Sequence, residues 1–214
     1  MLRKHVFSTV VYYDCLDFCP TAFEVWKHLL VLEDDGAKPV SLSAVTNALR
    51  DLVTERRVVV LRGMYLLPGR EEFVPMRIRE EKISVGKLKR AQRLIRMLQW
   101  VPFVRMIGIA GSLAMKKSEP KSDWDFFVIL RSGHIWLGRT FLTGILQLLG
   151  KRRHGQYVEN RACLNYYLTE EALEISGKDA FAAHEYRFIV PIFDRDVFRR
   201  FELAGAPWRR SNKG

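Results

Sequence analysis

Two aspartates one residue apart, Asp123 and Asp125, open the apolar run Asp123-Trp124-Asp125-Phe126-Phe127-Val128-Ile129-Leu130. Read as a strand, this run alternates its side chains across a sheet, so both carboxylates share one face while Trp124 and Phe126 point to the other. Two like charges at adjacent same-face positions oppose folding unless a cation lies between them. Mg²⁺ takes oxygen ligands and keeps some of its water, so it suits one or two carboxylates together with substrate phosphates. Upstream, VRMIGIA at Val104 to Ala110 has the length and apolarity of a strand, and it runs straight into Gly111-Ser112 and the helix-compatible Leu113-Ala114-Met115. Such a junction suits phosphate: the glycine admits a ligand to the backbone, the hydroxyl can donate to a phosphate oxygen, and helix N-terminal amides carry partial positive charge. A polar loop from Lys116 to Ser122 joins the two strands. Phosphoryl transfer needs these parts, because metal ions neutralise the triphosphate, orient the α-phosphorus and stabilise the attacking and leaving oxygens.

An apolar strand, Gly-Ser, a spacer of about ten residues and Asp-x-Asp in a second apolar strand together resemble the signature of the nucleotidyltransferase superfamily, the DNA polymerase beta-like domain. The likeness covers Val104 to Leu130. The resemblance implies that Gly111 and Ser112 contact nucleotide phosphates, that Asp123 and Asp125 hold Mg²⁺ or Mn²⁺, and that an NTP is the substrate. LPGR at Leu67 to Arg70, PFVR at Pro102 to Arg105 and CLNYYL at Cys163 to Leu168 also resemble a bacterial group that carries this domain behind a winged-helix-like segment. The superfamily usually adds a third carboxylate from a later strand, as a metal ligand or general base. Here the strand candidate Arg161 to Leu168 has Asn165 at its centre, and an amide cannot accept a proton as a carboxylate does. Glu159, just before that strand, is the alternative third acid.

The elements that must position these residues follow from period and turn signals. Pro20-Thr21 followed by Phe23, Trp26, Leu29 and Leu30 predicts an amphipathic helix ending near Asp34-Asp35-Gly36. Ser41 caps a second helix marked by Leu42, Val45, Leu49, Leu52 and Val53. Arg57 to Leu61 and Met64 to Leu67, joined by Arg62-Gly63, predict a hairpin. Helix, helix, hairpin is the order of a winged helix-turn-helix. From Arg77 to Trp100 a basic helix follows, with Leu88, Ala91, Ile95 and Leu98 on one side and Lys82, Lys89, Arg93 and Arg96 opposite. That basic side reads equally as a phosphate-contacting surface or as a solvated face. Ile135 to Leu149 is helical. Lys178 to Phe201 reads as helical segments interrupted at Pro191, with Phe181, Tyr186, Phe188, Phe193 and Phe198 packing on the catalytic domain, and Trp208 to Gly214 as a mobile basic tail.

The expected architecture is therefore α/β (α+β): a nucleotidyltransferase-type mixed sheet with flanking helices, preceded by a small winged-helix-like domain. Residues 1–75 form the winged-helix-like domain, 76–100 the basic linking helix, and 101–214 the catalytic domain with a helical C-terminal region.

The chain of 214 residues, 48% hydrophobic and 28% charged, is long enough for a sizeable core. Its most apolar window, Ile135 to Gly150, is too short for a membrane span and carries Arg139. With no leader pattern and three cysteines that make no even framework, a cytoplasmic protein without a membrane partner is expected. The net charge of +11 points to an anionic partner, but Lys and Arg number 9 against 10 Asp and Glu over residues 1–75 and 8 against 2 over residues 76–100. That near-neutral N-terminal third leaves DNA or protein as the partner of residues 1–100, since the second helix offers only Arg50, Arg56 and Arg57, offset by Asp51 and Glu55. Cys15 and Cys19, with His5 and His28, raise a zinc reading; one short spacing without a second pair is more often core thiol. His154 reads as a solvent-exposed histidine more readily than as a phosphate contact or base, His184 is uninformative, Arg152 and Arg153 read as phosphate clamps or an ordinary surface turn, and Phe18, Phe23 and Trp26 as core.

Three functions compete. The first transfers a nucleoside monophosphate from an NTP to a hydroxyl of a protein, nucleic acid or small molecule. The second is a metal-dependent glycosyltransferase, which also uses Asp-x-Asp but lacks the upstream Gly-Ser turn. The third is a catalytically weak or inactive nucleotidyltransferase-fold protein that binds or regulates through its winged-helix segment, a reading motivated by Asn165.

Overall fold

A computed structural model describes residues 1–30, 40–173 and 186–211, and the chain divides into two compact units at Arg79/Glu80. In the first unit, α1 (Leu2–Asp14), α2 (Ala22–Lys27) and α3 (Leu42–Thr54) precede the antiparallel hairpin of β1 (Val59–Leu61) and β2 (Met64–Leu66). No local signal announces α1, because Val6, Val10 and Val11 favour strands as readily as helices. What holds it helical is tertiary: Val6 and Val10, one turn apart, are buried with Val25, Val45, Leu49 and Leu52. Thr21 begins α2 with a reciprocal capping box to Glu24, and the Ser41 hydroxyl caps α3 by accepting from Ala44 N at 3.2 Å. The hairpin turn is Arg62-Gly63, both at positive φ (+52° and +78°), the backbone sense that matches strand twist.

Two expectations about this unit change. The helix after Thr21 stops at Lys27, because Leu30 N is drawn to Thr9 Oγ1 of α1 at 3.0 Å; Asp34-Asp35-Gly36 lie outside the described residues. Phe23 is exposed rather than core, while Phe18 is buried and Trp26 is half-buried with its indole N–H on Val40 O. Cys15 is an exposed helix cap and Cys19 is buried with Sγ 3.7 Å from Met64 Sδ, as a core thiol would be.

Helix α4 (Phe73–Leu98) starts four residues before Arg77 and crosses the unit boundary. Its Lys82, Lys89, Arg93 and Arg96 are exposed, and Ala91, Leu94, Ile95 and Leu98 are buried. The second unit continues with β3 (Val104–Ile109), α5 (Gly111–Ala114), β4 (Trp124–Leu130), α6 (Ile135–Leu148), β5 (Ala162–Thr169), β6 (Val190–Pro191) and α7 (Arg195–Ser211). These strands make a four-stranded mixed sheet in the order β5-β4-β3-β6, antiparallel at β3–β4 and β3–β6 and parallel at β4–β5. The fold is mixed α/β, and α6 supplies the crossover that a parallel pair requires.

Alternation along β4 divides the core. Trp124, Phe126, Val128 and Leu130 pack with α4 and α6 through Ile95, Leu98, Leu142 and Leu146. Phe127 and Ile129 pack on the opposite face with Tyr186, Val197 and Phe201, the last two from α7. Each large side chain so buried contributes about 1.5–3 kcal/mol. Among the described residues, no helix is long and apolar enough to cross a membrane.

The C-terminal region also departs from expectation. Pro191 does not interrupt a helix; Val190–Pro191 is an edge strand on β3, where a missing N–H is tolerated, and Gly108 leaves room for Ile189 against the sheet. Asp194 Oδ1 accepts from Val197 N at 3.1 Å at the start of α7, which continues through Trp208 to Ser211, so most of the expected tail is helical. Tyr186 is buried, Phe188, Phe193 and Phe198 are half-buried, and Phe181 and His184 lie outside the described residues.

Candidate metal and phosphate site

The buried odd positions of β4 stop at Phe127, and the next position on that face is the half-buried Asp125. Asp123 lies one residue before the strand. Ala110 N donates to Asp125 O at 2.9 Å, which ties the end of β3 to the start of β4 and presses Gly111 against the Asp125 side chain. Gly111 has φ +60°, and a Cβ there would collide with Asp125 Oδ2. Glycine is thus required twice over, by backbone and by space. Ser112 follows in the single-turn α5, at the N-terminal end of that turn. One turn of helix has only a small dipole, so the junction has little to offer an anion beyond its own amides and the Ser112 hydroxyl.

Register brings two further residues to the aspartates. Cys163 of β5 is the direct parallel partner of Asp125. Beyond it the register slips: Phe126 pairs with Leu164 and Phe127 with Tyr166, so Asn165 is the extra residue of a β-bulge. The bulge aims Asn165 at Asp125, Nδ2 to Oδ1 at 2.5 Å, and Cys163 Sγ donates to Asn165 Oδ1 at 2.8 Å. Arg153 Nη1 donates to Asp123 Oδ2 at 2.7 Å and lies 3.6 Å from Cys163 Sγ. Asp123, Asp125 and Cys163 each place one ligand atom within 4.8 Å of the others, and among the described residues they are the group so arranged.

The donor set decides which metals fit. Two carboxylates suit Mg²⁺ or Mn²⁺, whereas a thiolate suits softer ions such as Zn²⁺. Burial pushes the Cys163 thiol up, against the opposing pull of Arg153, so at neutral pH it is a weak donor and the carboxylates dominate. The position nearest Asp125 on β5 is therefore held by a thiol and an amide. Glu159 is exposed, pairs with Asn160 Nδ2 at 3.0 Å and stands outside the cluster.

Helix α4 fixes the loop that carries Asp123. Buried Lys87 donates from Nζ to Ser122 O at 2.7 Å and Oγ at 3.0 Å, and buried Ser84 accepts from Ser118 N at 3.0 Å. Burial pulls the Lys87 ammonium below its ordinary value, partly offset by Glu159 and Asp123. Sequence reasoning missed Lys87, Cys163 and the pairing of Arg153. A signal for Lys87 existed, because Ser84, Lys87, Ala91, Ile95 and Leu98 form one stripe at helical spacing, and a lysine on the buried stripe must find oxygens. Nothing in spacing announced Cys163 or Arg153.

No protein-family model, curated protein or solved structure matches the chain.

Proposed function

We propose that the chain is a metal-dependent nucleotidyltransferase that transfers a nucleoside monophosphate from an NTP to an acceptor hydroxyl. The observation that carries this reading is the seat of Gly111 on Asp125, which places the Gly-Ser turn beside a carboxylate pair at one end of a mixed sheet. Asp123 and Asp125 would hold Mg²⁺ or Mn²⁺, which when bound neutralises phosphate charge and stabilises the attacking and leaving oxygens. The Gly111 backbone and Ser112 hydroxyl would hold phosphate oxygens. An acceptor oxygen then bonds to the α-phosphorus, the bond to the β-phosphate oxygen breaks, pyrophosphate leaves, and the hydroxyl proton passes to water, since Asn165 cannot take it. The first unit, with three helices before a hairpin, is read as winged-helix-like, and residues 1–100, through α3 and the exposed basic face of α4, would contact DNA or protein. The test is labelled NTP with Mg²⁺ or Mn²⁺: incorporation by the wild type and none by Asp125→Ala supports transfer, and equal incorporation by both refutes it.

A second reading is favoured by one observation, the Cys163-Asn165 pair where a carboxylate would serve as base. Under it the protein binds nucleotide without turnover and acts through its first unit. Saturable NTP binding with no transfer to protein, nucleic acid or small-molecule acceptors would select it.

A further inference from the structure

Beside the aspartates, α6, β5 and the turn between them enclose a cleft of about 210 Å³ lined by Arg139, Thr143, Arg152, Arg153, Cys163 and Tyr167, with Ala162 and Leu164. Three arginines line it, and the lining contains no carboxylate. Among the described residues Arg153 has one, Asp123, while Arg139 and Arg152 have none. Three positive charges less that one leave a net charge of +2. Like charges gathered into one small cleft repel one another unless an anion joins them.

The cleft is also built to hold its shape. Arg139 and Thr143 stand one turn apart on α6, and the Arg139 guanidinium lies 5.0 Å over the Tyr167 ring. The arginine turn is fastened to the start of β5, with Ala162 N donating to Lys151 O at 2.7 Å and Arg153 N to Ala162 O at 2.9 Å. Burial raises the Tyr167 phenol above its ordinary value, so the ring beneath Arg139 stays neutral. The donors are therefore three planar forks beside the Thr143 hydroxyl, the chemistry that recognises tetrahedral oxyanions.

We propose that this cleft is a binding subsite for a phosphate dianion, either free phosphate or pyrophosphate or the monoester group of a nucleotide. Its net charge matches two negative charges, and its volume suits a phosphate group. Arg153, shared with Asp123, makes the subsite adjoin the candidate metal site without depending on it.

Calorimetric titration in EDTA tests this, with inorganic phosphate, pyrophosphate and a nucleoside monophosphate as separate probes. The expected result is saturable one-to-one binding of at least one probe. Arg139→Gln and Arg152→Gln should each weaken it about tenfold or more, the worth of a charge-assisted hydrogen bond. Arg199→Gln, on the exposed face of α7, should leave it unchanged. The Asp123→Asn/Asp125→Asn double variant should retain it even though nucleotidyl transfer fails, which separates this subsite from the transfer reading. Tighter binding of the monophosphate than of inorganic phosphate identifies a nucleotide group as occupant; the reverse identifies free phosphate or pyrophosphate. Failure of all three probes to saturate overturns the proposal. So does equal weakening by Arg199→Gln, or loss of binding in the double aspartate variant. All three arginines are exposed, so their substitution leaves the core intact, and a melting curve for each variant verifies it.

Discussion

Replacing Gly111 by alanine tests the geometry of the candidate site more sharply than removing an aspartate does. At φ +60° an alanine pays about 1–2 kcal/mol for the left-handed backbone alone. Gly133→Ala supplies that cost by itself, because Gly133 has φ +73° and open space around its Cβ position. At Gly111 the new methyl also meets Asp125 Oδ2, with Cγ at 3.2 Å, so the carboxylate must swing away and lose the Asn165 amide. A hydrogen bond to a charged group contributes about 1.5–3 kcal/mol. Gly111→Ala should therefore destabilise the protein by about 1.5–3 kcal/mol more than Gly133→Ala does in matched urea titrations, and it alone should weaken Mn²⁺ binding measured by electron paramagnetic resonance. If the two variants prove equally stable and bind Mn²⁺ equally, Gly111 does not position Asp125 and the reasoning fails.

Other consequences follow from the same contacts. Arg153→Gln should change stability by less than about 1 kcal/mol, since the guanidinium is 46% exposed, yet tighten Mn²⁺ binding severalfold by freeing Asp123 of its counter-charge. Because burial raises the Cys163 thiol, the unfolded chain loses this proton first, so stability should fall as pH rises from 9.0 toward the raised native value; thermal melts of Cys163→Ala should show less of that decline. Lys87 has the opposite sign: its native pKa is depressed, the unfolded chain binds this proton more readily, and stability should climb between the depressed value and 10.5, a slope that Lys87→Met removes. The same variant should speed proteolytic cleavage within Lys116 to Ser122, read by mass spectrometry, because the clamp on Ser122 is gone. In the first unit, Glu24→Gln weakens both the capping box and the 2.9 Å pair with buried Arg77, and should cost about 1–3 kcal/mol in urea titrations.

Local chemistry alone determined much of this molecule. Ser41 and Thr21 start helices because a hydroxyl satisfies a free N–H, Arg62-Gly63 turns because glycine permits positive φ, and Asp123 and Asp125 share a face because strands alternate. Each of these signals spans a few residues, so it is legible in the chain. Tertiary structure decided the rest. Helix α1 exists because a core accepts Val6 and Val10, and Val190–Pro191 is a strand because β3 offers it an edge. Asn165 reaches Asp125 through a bulge, Cys163 lies beside it through register, and Arg153 meets Asp123 across thirty residues. Pairing between distant segments depends on which backbones meet and with what offset, and a one-residue slip reverses every side chain. The aspartate pair could therefore be read in the sequence, while the thiol, the amide and the arginines around it became visible only once β5 was laid against β4.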